Sequence, residues 1–129
     1  MDLLYTPESY IIRGACFDVY NKLSGIYKES VINKALVIEL KSKSLLVESQ
    51  KRIDIFYKGE KVGLYIPDIV INDKILIELK VKPFITKEDE RQFWYYLKGS
   101  NYKLGFLINF SPKGLEIRRR IYEKARDQR

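Results

Sequence analysis

Residues 65–80 read Tyr65-Ile66-Pro67-Asp68-Ile69-Val70-Ile71-Asn72-Asp73-Lys74-Ile75-Leu76-Ile77-Glu78-Leu79-Lys80. Two apolar runs flank Asn72-Asp73-Lys74, a composition that suits a tight turn between antiparallel strands. Strand side chains alternate between faces, so Glu78 and Lys80 share one face and Leu79 takes the other. A three-residue turn sets Asp68 opposite Glu78. Directly opposed carboxylates repel and weaken a sheet. A chain that puts two acids there, beside a lysine, is suited to hold a hard divalent cation between them. Mg²⁺ takes one or two carboxylates and keeps several waters. Asp68 and Glu78 supply the carboxylates, and the backbone carbonyl of Leu79 supplies a third oxygen. Lys80 reaches toward a phosphate or an attacking water.

Outward from this hairpin, Thr6-Pro7 predicts the start of a first helix with proline in its first turn. Apolar residues at helical spacing carry it to Leu23, and Ser24-Gly25 ends it. A second helix is expected from about residue 28 to 43. Three strands follow at about 46–57, 62–71 and 75–81, the first two joined through Lys58-Gly59-Glu60-Lys61. In the third, Ile75, Ile77, Leu79 and Val81 form an apolar face, and Leu76, Glu78, Lys80 and Lys82 form the other. Thr86 caps a third helix to about Lys98, with Gly99 as its stop. Residues 103–110 are apolar on both faces, which predicts a strand inside the sheet. Leu115–Arg120 reads as a short edge strand before a frayed helical tail. The expected order is α-α-β-β-β-α-β, an α/β (α+β) mixed sheet of four to five strands flanked by helices. Its 129 residues suit one domain, with a basic C-terminal tail from about residue 113.

Composition narrows the chemistry. There is no histidine and one cysteine, which excludes Ser-His-Asp and Cys-His catalysis, histidine-bound zinc and an internal disulfide framework. Cys16 is expected as a small buried residue on a helix face. No apolar run approaches the length of a bilayer span, and the N-terminus lacks a signal peptide's pattern. A cytosolic protein without a membrane partner is expected. The net charge of +7 favours a polyanionic partner, nucleic acid first. Residues 113–129 hold seven basic and three acidic residues, Arg118, Arg119 and Arg120 among them.

Read as an isolated residue, Glu29 is a favourable acid at a helix N-terminus. Gln92 and Tyr96, four apart, share one face of the third helix. Tyr65, Trp94 and Tyr95 are aromatics that could stack on bases or pack against the sheet.

With Pro67-Asp68 and Glu78-Leu79-Lys80 as its signature, the chain resembles the PD-(D/E)XK nuclease superfamily, whose fold is restriction-endonuclease-like. More narrowly it resembles the small bacterial and archaeal GxxExxY proteins. The likeness runs from about Tyr10 to Ile121. Val19-Tyr20-Asn21-Lys22-Leu23, Lys28-Glu29-Ser30-Val31, Tyr57-Lys58-Gly59, Gln92 with Tyr96-Leu97, and Leu104-Gly105-Phe106-Leu107-Ile108-Asn109-Phe110 support it. It implies that Glu29 approaches a metal held mainly by Asp68 and Glu78, and that Lys80 is the catalytic lysine. Gln92 would contact metal-bound water or substrate phosphate, with Tyr96 beside it. Ile26 and Ile32 stand at the family's Gly and Tyr positions, a departure at the Glu29 helix.

The expected function is a Mg²⁺- or Mn²⁺-dependent nuclease acting on nucleic acid, DNA before RNA. Lys82, Tyr96 and Arg118 to Arg120 are its candidate nucleic-acid contacts, and a homodimer is an expected assembly. The alternative is a non-catalytic nucleic-acid- or protein-binding module within a larger nucleic-acid-processing or defence system. A weaker third reading is metal-free binding of single strands through the aromatics and the basic tail.

Overall fold

The computed structural model describes residues 4–125. It opens with two helices, α1 (Thr6–Leu23) and α2 (Glu29–Lys41). Five strands follow: β1 (Val47–Ser49), β2 (Ile53–Tyr57), β3 (Glu60–Tyr65), β4 (Ile69–Ile71) and β5 (Ile75–Lys80). Helix α3 (Lys87–Ser100) then leads to β6 (Leu104–Ser111) and β7 (Gly114–Ile121). The result is a mixed five-stranded sheet in the order β1-β4-β5-β6-β7, with β2 and β3 forming a separate two-stranded sheet. This is the expected α+β, restriction-endonuclease-like architecture.

The β4–β5 register pairs Ile69 with Ile77 and Ile71 with Ile75, as the three-residue turn requires. Asn72 and Asp73 both adopt positive φ, which short Asx side chains tolerate. Strands β5 and β6 run parallel, and α3 supplies the crossover that a parallel pair needs. Ile75, Ile77 and Leu79 enter a core shared with α1, α2 and alternate residues of β6, while Leu76 joins a second cluster with Leu97 and Tyr102. All eight residues of β6 are buried. Each fully buried large aliphatic contributes about 1.5–3 kcal/mol. Cys16 is in the first core, and burial pushes its thiol up to about 12.

Several boundaries differ from the sequence reading. The expected strand 46–57 breaks between β1 and β2, where Gln50 takes positive φ. The expected strand 62–71 breaks between β3 and β4, where Pro67 has no N–H to give a ladder. Thr6 lies inside α1, and Tyr5 in the left-handed region precedes it as N-cap. Thr86 does cap α3, in a capping box with Asp89, but the helix runs past Gly99 to Ser100 and stops at left-handed Asn101. The stretch expected as a basic tail begins as β7, an eight-residue edge strand paired along the whole of β6. The helical tail expected after it is absent from residues 122–125, and its remainder falls on residues 126–129, outside the described residues.

One polar cluster closes the β5–α3 connection. The buried Asn109 of β6 accepts from the Lys82 N–H at 3.0 Å and donates to the Lys82 carbonyl at 2.9 Å and to Glu116 at 2.8 Å. The same Glu116 oxygen accepts from the Ile85 N–H at 2.9 Å. At the α1–α2 junction Gly25 lies so close to Ser111 that a Cβ would sit 2.4 Å from its carbonyl carbon. The Tyr20 hydroxyl donates to the Ser111 carbonyl at 2.6 Å, holding the helix pair against the end of β6.

Candidate active site

Carrying the β4–β5 register one step beyond Ile69 and Ile77 sets Asp68 against Glu78. The Asp68 N–H donates to Glu78 Oε1 at 3.1 Å, and the Leu79 N–H donates to Asp68 Oδ2 at 2.8 Å. The Glu78 carboxylate is thus braced by the Asp68 backbone, and the Asp68 carboxylate by the backbone of Leu79, the next residue after Glu78. A second donor, the Tyr65 hydroxyl, reaches the same Glu78 oxygen at 2.9 Å. One oxygen of each carboxylate is committed, and among the described residues Asp68 Oδ1 and Glu78 Oε2 are left to meet a ligand.

Electrostatics follow from this geometry. Burial, then the charge of Asp68, pushes Glu78 up to about 7, against hydrogen bonds from Tyr65 and the Asp68 N–H and the charge of Lys80. Burial also raises Asp68, opposed by the Leu79 N–H and Lys80. Glu29 stands at the first position of α2 and is raised by desolvation, then by Asp68, and lowered by Lys80. The lysine charge therefore acts on all three acids. No carboxylate lies within 4 Å of its Nζ among the described residues.

The structure gathers Glu29, Asp68, Glu78 and Lys80, although no three acids converge closely enough to form a ready-made metal cluster among the described residues. Two opposed hard-oxygen donors with free oxygens, partly withdrawn from water, still suit a Mg²⁺ that keeps most of its waters. Leu79 buries its side chain and spends its N–H on Asp68. Tyr96 stacks on Tyr65, with ring centroids 4.2 Å apart and planes 5° from parallel. Gln92, one turn earlier on α3, is exposed. Ile26 is 76% exposed, whereas Ile32 is buried in the core.

The basic candidates are dispersed. Lys82 Nζ is held by Asp89 at 2.7 Å. Burial works against the Asp89 charge, but hydrogen bonds from Lys82 and Thr86 hold its carboxyl down to about 2. Arg118 lies between Glu116 at 3.5 Å and Glu90 at 3.7 Å, and Arg120 covers the Trp94 ring at 4.7 Å. Arg119 points to the opposite face of β7, as strand alternation demands, and donates to the Leu4 carbonyl at 3.1 Å.

The sequence leaves Tyr65 either to stack on bases or to pack against the sheet; it is buried, and its hydroxyl bond to Glu78 is not a feature that the sequence reading contains. The break at Pro67 shifts the facing of everything before it, so alternation alone cannot bring Tyr65 to the acid. Tyr65→Phe keeps the ring stack and removes the donor. It is expected to weaken Mn²⁺ binding about tenfold at pH 7, since a hydrogen bond to a charged group contributes about 1.5–3 kcal/mol. Calorimetric titration checks this, with urea unfolding as the control for fold; unchanged affinity would mean that the Asp68 N–H alone positions the acid.

The PD-(D/E)XK nuclease superfamily is the class that this fold and these acids define, and its family model matches residues 6–121. The chain belongs to that superfamily. No curated protein and no solved structure matches it. No helix among the described residues is long and apolar enough to cross a membrane.

Proposed function

We propose that the chain is a Mg²⁺- or Mn²⁺-dependent nuclease of the GxxExxY branch that hydrolyses phosphodiester bonds in nucleic acid, DNA before RNA. The observation that carries the reading is the braced pair Asp68 and Glu78, each with one carboxylate oxygen that no described residue bonds, beside a lysine with no carboxylate within 4 Å among the described residues. The superfamily match over residues 6–121 supports the reaction class, and the resemblance at Lys28-Glu29-Ser30-Val31 supports the branch. A bound divalent cation would lower the pKa of water and polarise a phosphoryl oxygen. Asp68 and Glu78 are its carboxylate holders, with the Leu79 carbonyl as a third oxygen. Glu29 approaches from α2 and adds negative charge. Lys80 stabilises charge that develops on the phosphoryl group. Tyr96, stacked on Tyr65, stands on the α3 side of the site, and Gln92 one turn earlier is assigned the contact to metal-bound water or substrate phosphate that the resemblance implies.

The test is titration of Mn²⁺ and Mg²⁺ into wild type and into a folded Asp68→Ala/Glu78→Ala double variant, followed by cleavage assays on single- and double-stranded DNA and RNA. Wild type is expected to bind metal and cleave, and the double variant to do neither. Equal cleavage by both proteins would overturn the reading. Absence of metal binding by wild type, even with nucleic acid present, would favour a non-catalytic module.

A further inference from the structure

Strands β2 and β3 form a hairpin whose two faces are put to different use. Ile53 and Tyr65 are buried in the second core cluster, Ile55 packs against it, and Tyr65 donates to Glu78. The other face meets solvent. There the register pairs Asp54 with Leu64 and Phe56 with Lys61, on either side of a bulge at Val62. Directly opposed residues share a face, so these four side chains make a two-by-two square. Its apolar corners, Phe56 and Leu64, lie on one diagonal. Its charged corners lie on the other, with Lys61 Nζ 3.1 Å from Asp54 Oδ1. Phe56, Leu64 and the rim residues Tyr57, Val62 and Ile66 are each between 39% and 63% exposed. Together they uncover on the order of 500 Å² of apolar surface, toward the upper end of what a monomer leaves open in one patch.

Charge and symmetry narrow what covers it. The whole chain carries +7, yet residues 53–65 hold two acids and two lysines and are neutral. A polyanion gains nothing from a neutral, apolar face. A second copy of a +7 chain meets the least repulsion where local charge cancels. The square also fits itself. A twofold axis lying in the plane of contact, along the Phe56–Leu64 diagonal, sets Phe56 on Phe56 and Leu64 on Leu64. It sets Asp54 of each copy on Lys61 of the other. An axis along or across the strands would put each charge on an apolar corner, and one along the charged diagonal would oppose like charges. The favoured axis gives an isologous contact. It crosses the strands of the two copies near a right angle, one of the two ways in which sheets pack face to face.

We propose that the outer face of the β2–β3 hairpin pairs with the same face of a second copy about this axis. The inference goes beyond the nuclease reading and does not depend on it. Two such patches bury on the order of 1,000 Å² in total, the lower bound of a specific interface, so the dimer is a weak one with a Kd on the order of micromolar.

The experiment is sedimentation equilibrium of the full chain, from about 1 to 500 μM, a range that brackets such a Kd. Phe56→Ala removes an aromatic anchor from both copies and is expected to raise the Kd by at least about a hundredfold. Asp54→Lys and Lys61→Asp each bring like charges together at both charged contacts, and each alone is expected to be monomeric at about 100 μM. In their equimolar mixture every facing pair is again of opposite sign, and a dimer of roughly wild-type affinity is expected. An exposed ion pair contributes little to the fold, and urea unfolding checks that each variant stays folded. Rescue in the mixture separates pairing across a twofold axis from loss of the ion pair within one chain. Wild type that stays monomeric throughout, a dimer that Phe56→Ala leaves intact, or a mixture that stays monomeric would overturn the proposal. Each of those results leaves the nuclease reading standing, since that reading is tested by metal binding at Asp68 and Glu78.

Discussion

Glu78→Gln protein is expected to be more stable than wild type at pH 8, by up to about 3 kcal/mol, and to bind no Mg²⁺. The folded Glu78 carboxyl is pushed up to about 7 by burial and by Asp68, from an ordinary value of 4.5. Between these values the folded chain keeps a proton that the unfolded chain has lost. Stability from this group is full below about pH 4.5 and is lost as pH rises through about 7. At 1.36 kcal/mol per pH unit the interval gives the figure of about 3. Glutamine is neutral at every pH and its amide oxygen can accept the same Tyr65 and Asp68 bonds. Urea unfolding at intervals from pH 5 to 8 checks this: wild type should fall across the range and the variant should show only the residual slope from Asp68 and Glu29. Saturating Mg²⁺ should return stability to wild type at pH 8 by mass action and leave the variant unmoved. A variant with the wild-type slope would assign the titration to another group.

Lys80→Ala is expected to lower phosphodiester hydrolysis by about 10²–10³-fold while Mn²⁺ binding is retained. The magnitude is that of removing one preorganised charge-stabilising donor from a site. The lysine projects from the same face of β5 as Glu78, with no carboxylate within 4 Å among the described residues, yet its charge acts on Glu29, Asp68 and Glu78. A cation so placed repels a second cation, so its loss does not weaken metal binding by charge alone. Single-turnover cleavage beside calorimetry separates the two effects. Loss of metal affinity together with activity would give Lys80 the role of ordering the acids.

The hairpin around the acids was legible because two independent constraints agree there. Asn72-Asp73-Lys74 sets the loop length, and the alternation from Ile75 to Lys80 sets the faces, so register and facing follow together. The break at Gln50 falls in the polar run Glu48-Ser49-Gln50-Lys51-Arg52, a signal the strand reading of 46–57 passes over, whereas apolar residues continue on both sides of Pro67 and alternation does not show that break. Pro67, which cannot donate to a ladder, was the available signal for the second break. Arginines 118–120 are adjacent in sequence and read there as one basic element. Strand geometry separates them: Arg118 and Arg120 face α3, and Arg119 faces the other way.

Strand β6 poses a problem of its own. A strand buried on both sides has no polar edge to say which residues belong where, and a shift of one position along its neighbours would still bury hydrocarbon. Asn109 removes that ambiguity. In the native alignment its amide meets the Lys82 main chain on both sides and Glu116. Shifted by one, the amide would enter packed side chains with those partners lost, at about 1–3 kcal/mol for each unsatisfied group. Asn109, set among apolar residues in the body of a strand whose other polar side chain is the terminal Ser111, thus acts as an alignment key, penalising misthreaded sheets that hydrophobicity alone would tolerate. Because Lys80 pairs with Asn109 across β5 and β6, that key also sets where the site lysine comes to rest.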